Sequence, residues 1–169
     1  MAGVQIARVL VPEQQLDKNS YVIEVPEATK VADVAPQDTG PEPILALLAS
    51  ADVAAGEKLA KKCTACHVFE AGGVNKVGPA LWSIVNKAKA SADGFAYSKA
   101  LAEFGGEWDY QSLNGFLAKP KAYISGTKMN FAGLKKPEDR ANMVAWMRTM
   151  ADSQAPLPTA EDIAAESGS

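Results

Sequence analysis

Apolar residues recur at helical spacing through the second half of the chain. Leu113, Phe116 and Leu117 stand at i, i+3 and i+4 behind Asp109, and the run stops at Pro120. That spacing predicts a helix between the capping aspartate and the proline. Met143, Val144, Trp146, Met147 and Met150 form a longer stripe behind Pro137, with Glu138 and Asp139 next to it. Proline suits a first helical position, and the two acids suit the positive end of the helix dipole. A shorter helix is expected over residues 98–104. Another is expected from a cap at Asp52 to about residue 66, with Leu59, Ala60 and Cys63 on one face. Residues 70–79 carry Gly72, Gly73, Gly78 and Pro79 and read as loop. No βαβ unit and no repeat is visible. The pattern predicts an all-α domain, small and rich in loops, over residues 51–153.

The flanks read differently. Residues 4–11 are apolar and end at Pro12. Tyr21 to Val25 is the only strand-like piece, closed by Pro26. Pro26, Pro36, Pro41 and Pro43 then mark a semi-extended linker, so residues 1–50 are expected to be an acidic, Pro/Ala-rich segment. Residues 154–169, with Pro156 and Pro158, are expected to form a loosely held acidic tail.

Composition narrows the function. A chain of 169 residues with 47% hydrophobic and 22% charged residues suits one soluble domain with extensions. No apolar run is long enough to span a membrane. Two cysteines exclude a disulfide-rich scaffold, and one histidine excludes any site needing two. The net charge of -3 hides an asymmetry: residues 1–50 carry a net -4, residues 51–153 a net +4 and residues 154–169 a net -3. A basic centre between acidic arms fits either simple solubility or a basic docking face. Nothing in it supports nucleic-acid binding.

Both cysteines and the histidine fall in one pentapeptide, Cys63-Thr64-Ala65-Cys66-His67. This is the c-type haem attachment pattern. Thiols about one helical turn apart can each add to one vinyl group, and the histidine that follows is placed as proximal iron ligand. A thioredoxin-like pair would need a βαβ setting, and structural zinc would need a fourth ligand. A loop-rich domain of this size also needs something large to pack on, which a covalent cofactor supplies. Among candidates for the sixth iron position, Met143, Met147 and Met150 belong to the helical stripe and read as core. Met129 lies in the loop Gly126-Thr127-Lys128-Met129-Asn130-Phe131. From the residues alone it is either a locally packed methionine or the distal ligand.

Residues 54–150 resemble a class I cytochrome c of the mitochondrial and alphaproteobacterial type. The resemblance rests on Gly56, the pentapeptide at 63–67, Gly78-Pro79, Phe95-Ala96-Tyr97-Ser98, Trp108, Pro120, Gly126-Thr127-Lys128-Met129, Phe131-Ala132-Gly133 and the final helix with Trp146. It implies the class I cytochrome c fold wrapped around one covalent haem c, with iron held by His67 and Met129. It further implies that the Pro79 carbonyl accepts the His67 Nδ1 proton. Tyr97 and Trp108 would hydrogen-bond a haem propionate, and Thr127 would support the distal loop or a propionate. Gly56 would let the first helix cross the last one near Trp146. The pattern departs at Ser125, where proline is usual, and at Lys87, where an arginine often faces a propionate. Ala60, Leu101 and Phe116 also replace common residues, and none of these changes removes a ligand.

The implied function is a one-electron carrier of a respiratory chain and not an enzyme. It would run from a cytochrome bc1 complex to a haem-copper terminal oxidase through transient electrostatic docking. Lys62, Lys76, Lys121, Lys128 and Lys135 would meet acidic patches on those partners. Residues 1–50 resemble the region beyond the anchor in membrane-tethered bacterial cytochromes. The expected location is therefore the periplasmic side of an inner membrane, reached through an N-terminal anchor or signal of which residues 4–11 are the stub. A processed soluble carrier is the alternative. The competing function is a haem enzyme or gas-binding protein with an open sixth iron position.

Overall fold

The computed structural model describes residues 40–168. The expected strand-like piece at 21–25 and the stub at 4–11 lie outside the described residues. Within them the protein is all-α, as the periodicity predicts. The helices are α1 (Leu45–Leu48), α2 (Val53–Ala60), α3 (Lys99–Phe104), α4 (Tyr110–Ala118), α5 (Pro120–Tyr123), α6 (Pro137–Thr149) and α7 (Ala160–Ser167). Among the described residues the only β feature is an isolated bridge between Ala88 and Glu107.

The starts of the helices follow local chemistry. Asp52 caps α2 by accepting from Ala55 N at 3.0 Å, Ser98 caps α3 through Leu101 N at 3.2 Å, and Asp109 caps α4 through Ser112 N at 2.6 Å. Pro137 opens α6 with Glu138 and Asp139 in its first turn, and Arg148 lies in its last. The first helix of the domain is shorter than its periodicity suggests. It ends at Ala60, and the chain continues in tighter i→i+3 turns: Lys62 N to Leu59 O, Cys63 N to Ala60 O and Cys66 N to Cys63 O.

Helix α6 is the spine. It buries Ala141, Met143, Val144, Ala145, Trp146 and Met147, and α1, α2 and α4 all pack on it. The α2–α6 crossing depends on Gly56. A β-carbon there would overlap the carbonyl oxygen of Asn142 and lie 2.7 Å from Trp146 Cβ. Phe69 then meets Trp146 edge-on at 4.8 Å.

The compact body is larger than residues 51–153. Ile44, Leu45 and Leu48, within the expected 1–50 segment, are core residues at and within α1. The tail expected to be loosely held contains α7, closed by a capping box in which Thr159 and Asp162 satisfy each other's backbone amides. Glu166 on α7 accepts from Leu45 N at 2.8 Å and Ile44 N at 3.3 Å, so its carboxylate caps the otherwise uncapped start of α1. Tyr110 Oη donates to Pro156 O at 2.8 Å and Arg148 Nε to Ala155 O at 2.6 Å. Segments too short to show a periodicity are thus tied down by core burial and by hydrogen bonds to distant residues.

Candidate functional site

The turns after α2 bring Cys63, Cys66 and His67 onto one wall of a cavity of about 320 Å³, within the range of ligand sites. His67 N donates to Cys63 O at 2.9 Å, which fixes the histidine directly after the turn. Its ring lies over Gly78, where a β-carbon would overlap Cε1. Nδ1 stands 2.8 Å from the Pro79 carbonyl. A carbonyl only accepts, so Nδ1 carries the proton and Nε2 presents its lone pair. Burial pushes the His67 pKa down, opposed in part by the Pro79 bond, so the ring is held neutral. Burial pushes the Cys63 thiol up, partly offset by the charge of Lys62 and reinforced by Cys66. Neither cysteine is in a disulfide.

The remaining sequence-predicted residues, Pro79, Tyr97, Trp108, Thr127 and Met129, line the same cavity. The Tyr97 hydroxyl accepts from Ala92 N at 3.1 Å. Trp108 is buried, packed 4.9 Å from the Phe116 ring with the Lys89 ammonium 5.1 Å from its own centroid. Buried Thr127 receives Met129 N on Oγ1 at 3.3 Å, and its own N–H donates to Ile124 O at 3.1 Å. The rest of the wall is mainly apolar, including Leu81 and Ile84 from one loop, Leu101 from α3, Leu113 from α4 and Met143 and Met147 from α6.

The five expected docking lysines are all exposed. Lys62 and Lys128 stand at the cavity, while Lys76, Lys121 and Lys135 lie outside its lining. Three of them are held by short contacts: Lys76 Nζ to Thr64 O at 3.2 Å, Lys121 Nζ to Asn130 Oδ1 at 3.0 Å and Lys128 Nζ to Ala96 O at 2.8 Å. Lys87 also lines the cavity.

Sequence reasoning missed Arg140, which is 1% exposed and bonded to Asn114, Leu134, Lys135 and Glu42. A signal was present. Arg140 stands at i−3 from Met143 and i−4 from Val144, on the apolar stripe itself, where an arginine must be satisfied internally.

The donor set fits a covalent haem. Two thiols, a neutral imidazole with a free Nε2, a thioether sulfur and a largely apolar chamber are what that group requires. Among the described residues, no cluster of three His, Cys, Asp or Glu side chains is placed to hold a bare metal ion. An all-α body enclosing such a chamber, with Cys-x-x-Cys-His on its wall, defines the class of c-type haem proteins.

The cytochrome c family model matches residues 53–151, and the chain belongs to that family. It is 46% identical over 120 residues to a cytochrome c homolog of Bradyrhizobium diazoefficiens, a match covering 70% of this chain and 65% of that protein. It is 38% identical over 138 residues to a cytochrome c homolog of Rickettsia felis, covering 82% of this chain and 79% of the relative. Among solved structures, cytochrome cH of Methylobacterium extorquens superposes with a TM-score of 0.55 at 42% identity, covering 58% of this chain and 98% of that one. Membership brings covalently bound haem c with its iron, and the role of a haem electron carrier. No helix among the described residues is long and apolar enough to cross a membrane.

Proposed function

We propose that this chain is a one-electron carrier of a respiratory chain, taking electrons from a cytochrome bc1-type donor to a haem-copper terminal oxidase. The observation that carries the reading is the convergence of Cys63, Cys66, His67 and Met129 on one largely apolar cavity. When bound, haem c supplies a one-electron couple between ferrous and ferric iron.

The chain's own residues have distinct parts. Cys63 and Cys66 would hold the haem through thioether links. The Pro79 carbonyl fixes the His67 tautomer and leaves the Nε2 lone pair available as a ligand. Met129 supplies the sixth ligand from a loop pinned by Thr127 and by the contact of Lys128 with the Ala96 carbonyl. The apolar wall excludes water, which limits the reorganisation opposing electron transfer. Tyr97 and Trp108 would hydrogen-bond a haem propionate, and Thr127 would support the distal loop or a propionate. Lys62, Lys76, Lys121, Lys128 and Lys135 dock acidic partners briefly. The work is done on the periplasmic side of a bacterial inner membrane, with residues 1–50 as the linker to an N-terminal anchor. A tether raises the effective concentration of the carrier near its membrane partners.

The visible spectrum of holoprotein tests the ligand set. Low-spin reduced bands and a weak far-red ferric band, erased in Met129→Ala, are expected. A high-spin ferric spectrum, or rapid carbon monoxide binding by the reduced protein, would move the assignment to an open-site enzyme or gas-binding protein.

A further inference from the structure

Arg140 closes a network that reaches from the segment preceding the domain to the far side of the methionine loop. Its Nε donates to Asn114 Oδ1 at 2.6 Å, and its Nη1 donates to the carbonyls of Leu134 at 3.1 Å and Lys135 at 2.8 Å. Its Nη2 donates to the backbone carbonyl of Glu42 at 3.1 Å, with Glu42 Oε2 at 3.4 Å. Asn114, itself buried, donates Nδ2 to the same Glu42 carbonyl at 3.0 Å. One backbone oxygen therefore receives two buried side-chain donors, one of them charged.

The other end of this network is the anchor that follows Met129. Leu134 N donates to Leu117 O at 2.8 Å, and Gly133, at φ +87°, is wedged against the Ala118 carbonyl. Arg140 holds the two carbonyls immediately beyond. Met129 is thus held on its N-terminal side by Thr127 and on its C-terminal side by a segment whose alignment depends on the guanidinium.

Glu42 is the partner from outside the helical body. Its carboxylate is 70% exposed, so the ion pair is screened and weak. The carbonyl is what counts. Without it, Arg140 Nη2 and Asn114 Nδ2 would be buried donors lacking an acceptor. The sequence fixes that carbonyl's direction: Glu42 stands between Pro41 and Pro43. Pro43 forces its predecessor into extended backbone, and Pro41 restricts the approach.

We propose that Glu42, clipped between Pro41 and Pro43, is a positioning residue for Met129, acting through Arg140 and the Leu134–Lys135 carbonyls. The inference rests on the reading of Met129 as the iron's sixth ligand. The linker is then part of the distal ligand's support, and loosening it at this point lets Met129 leave the iron more often without unfolding the protein.

The test uses full-length holoprotein and two readouts under native conditions. One is the rate at which added imidazole displaces Met129 from ferric iron, followed by loss of the far-red band. The other is amide exchange of Leu134, which needs no ligand. Replacing both Pro41 and Pro43 with glycine should raise the displacement rate about tenfold and speed Leu134 exchange by a similar factor. Glu42→Gln, which keeps the carbonyl, should change both less than twofold. Replacing Pro26 and Pro36, which lie outside the described residues, with glycine should change neither. A shift of the global unfolding midpoint alone, with both local rates unchanged, overturns the proposal and makes the clip merely structural. Retention of the far-red band in Met129→Ala overturns the ligand assignment and the proposal with it. Loss of that band, with rates insensitive to the clip, overturns the proposal alone.

Discussion

Gly78 lies directly against the imidazole of His67: a β-carbon at Gly78 would overlap Cε1 and stand 2.7 Å from both Nδ1 and Nε2. The loop has little freedom to retreat, because Gly78 N donates to Cys66 O at 2.9 Å and the next residue supplies the carbonyl that holds Nδ1. Gly78→Ala must therefore tilt the ring or break one of these bonds. A clash of this kind costs about 1–3 kcal/mol. The expected outcome is a lower yield of low-spin holoprotein and a lower unfolding midpoint. An unchanged spectrum together with an unchanged midpoint would show that the contact does not constrain the ligand.

The α2–α6 crossing gives a prediction in which two effects oppose each other. Alanine in a helix interior gains roughly 1 kcal/mol over glycine in propensity. At Gly56 that gain meets an overlap with the Asn142 carbonyl, and backbone is slow to yield. Separating the two helices would also open the contacts around Trp146. The loss from such overpacking, about 1–3 kcal/mol, outweighs the gain. Denaturant unfolding of Gly56→Ala should show net destabilisation, and a stabilised variant would mean that the crossing is looser than it looks.

These two glycines show how far the sequence could be read. The attachment pentapeptide is legible because its chemistry needs fixed residue types at fixed spacing, and α4 and α6 are legible because a buried helix face repeats. Gly56 and Met129 become legible only through resemblance, since a glycine or a loop methionine says nothing about what lies opposite. The Arg140 network, α1 and α7 escape for a different reason. Each depends on partners far away in sequence: Glu42 is 98 residues from Arg140, and Glu166 is 121 from Leu45. Four-residue α1 has no room for a periodicity, and proline before the acidic α7 reads as a tail.

The capping box of α7 predicts a pH response. Asp162 has its pKa lowered, first by the Thr159 side-chain hydrogen bond and then by the Thr159 backbone bond. A depressed carboxylate stabilises the fold at pH above its unfolded value, and the contribution is lost as pH falls through the folded value. Acidification below the ordinary carboxylate range should therefore fray α7 from its start. Backbone carbon chemical shifts of residues 160–167 should move toward coil values in that window, and Asp162→Asn should show the frayed shifts already at neutral pH. Identical acid titrations of the two proteins would dismiss the box as a stabilising feature.

Charge at the cavity mouth should govern electron transfer more than the charge of the whole chain. The net charge is -3, yet Lys62 and Lys128 stand at the cavity and are exposed. Lys58 is also exposed, on α2, and does not line the cavity. Lys62→Glu, Lys128→Glu and Lys58→Glu change the net charge equally, so they separate local from global electrostatics. With a small anionic reductant, the two cavity variants should react a few-fold more slowly than wild type at low salt, and with a cationic one a few-fold faster. Lys58→Glu should lie near wild type with both. The differences should shrink as salt rises and the screening length falls from roughly 30 Å at 0.01 M to about 3 Å at 1 M. Equal effects from all three variants would mean that electrons do not enter beside Lys62 and Lys128, and the docking face would have to be sought elsewhere on the basic centre. Lys128 offers an internal check, because its ammonium also holds the Ala96 carbonyl at 2.8 Å. Lys128→Gln, which removes the charge and retains a donor, should give about half the electrostatic effect of Lys128→Glu while leaving the far-red band in place.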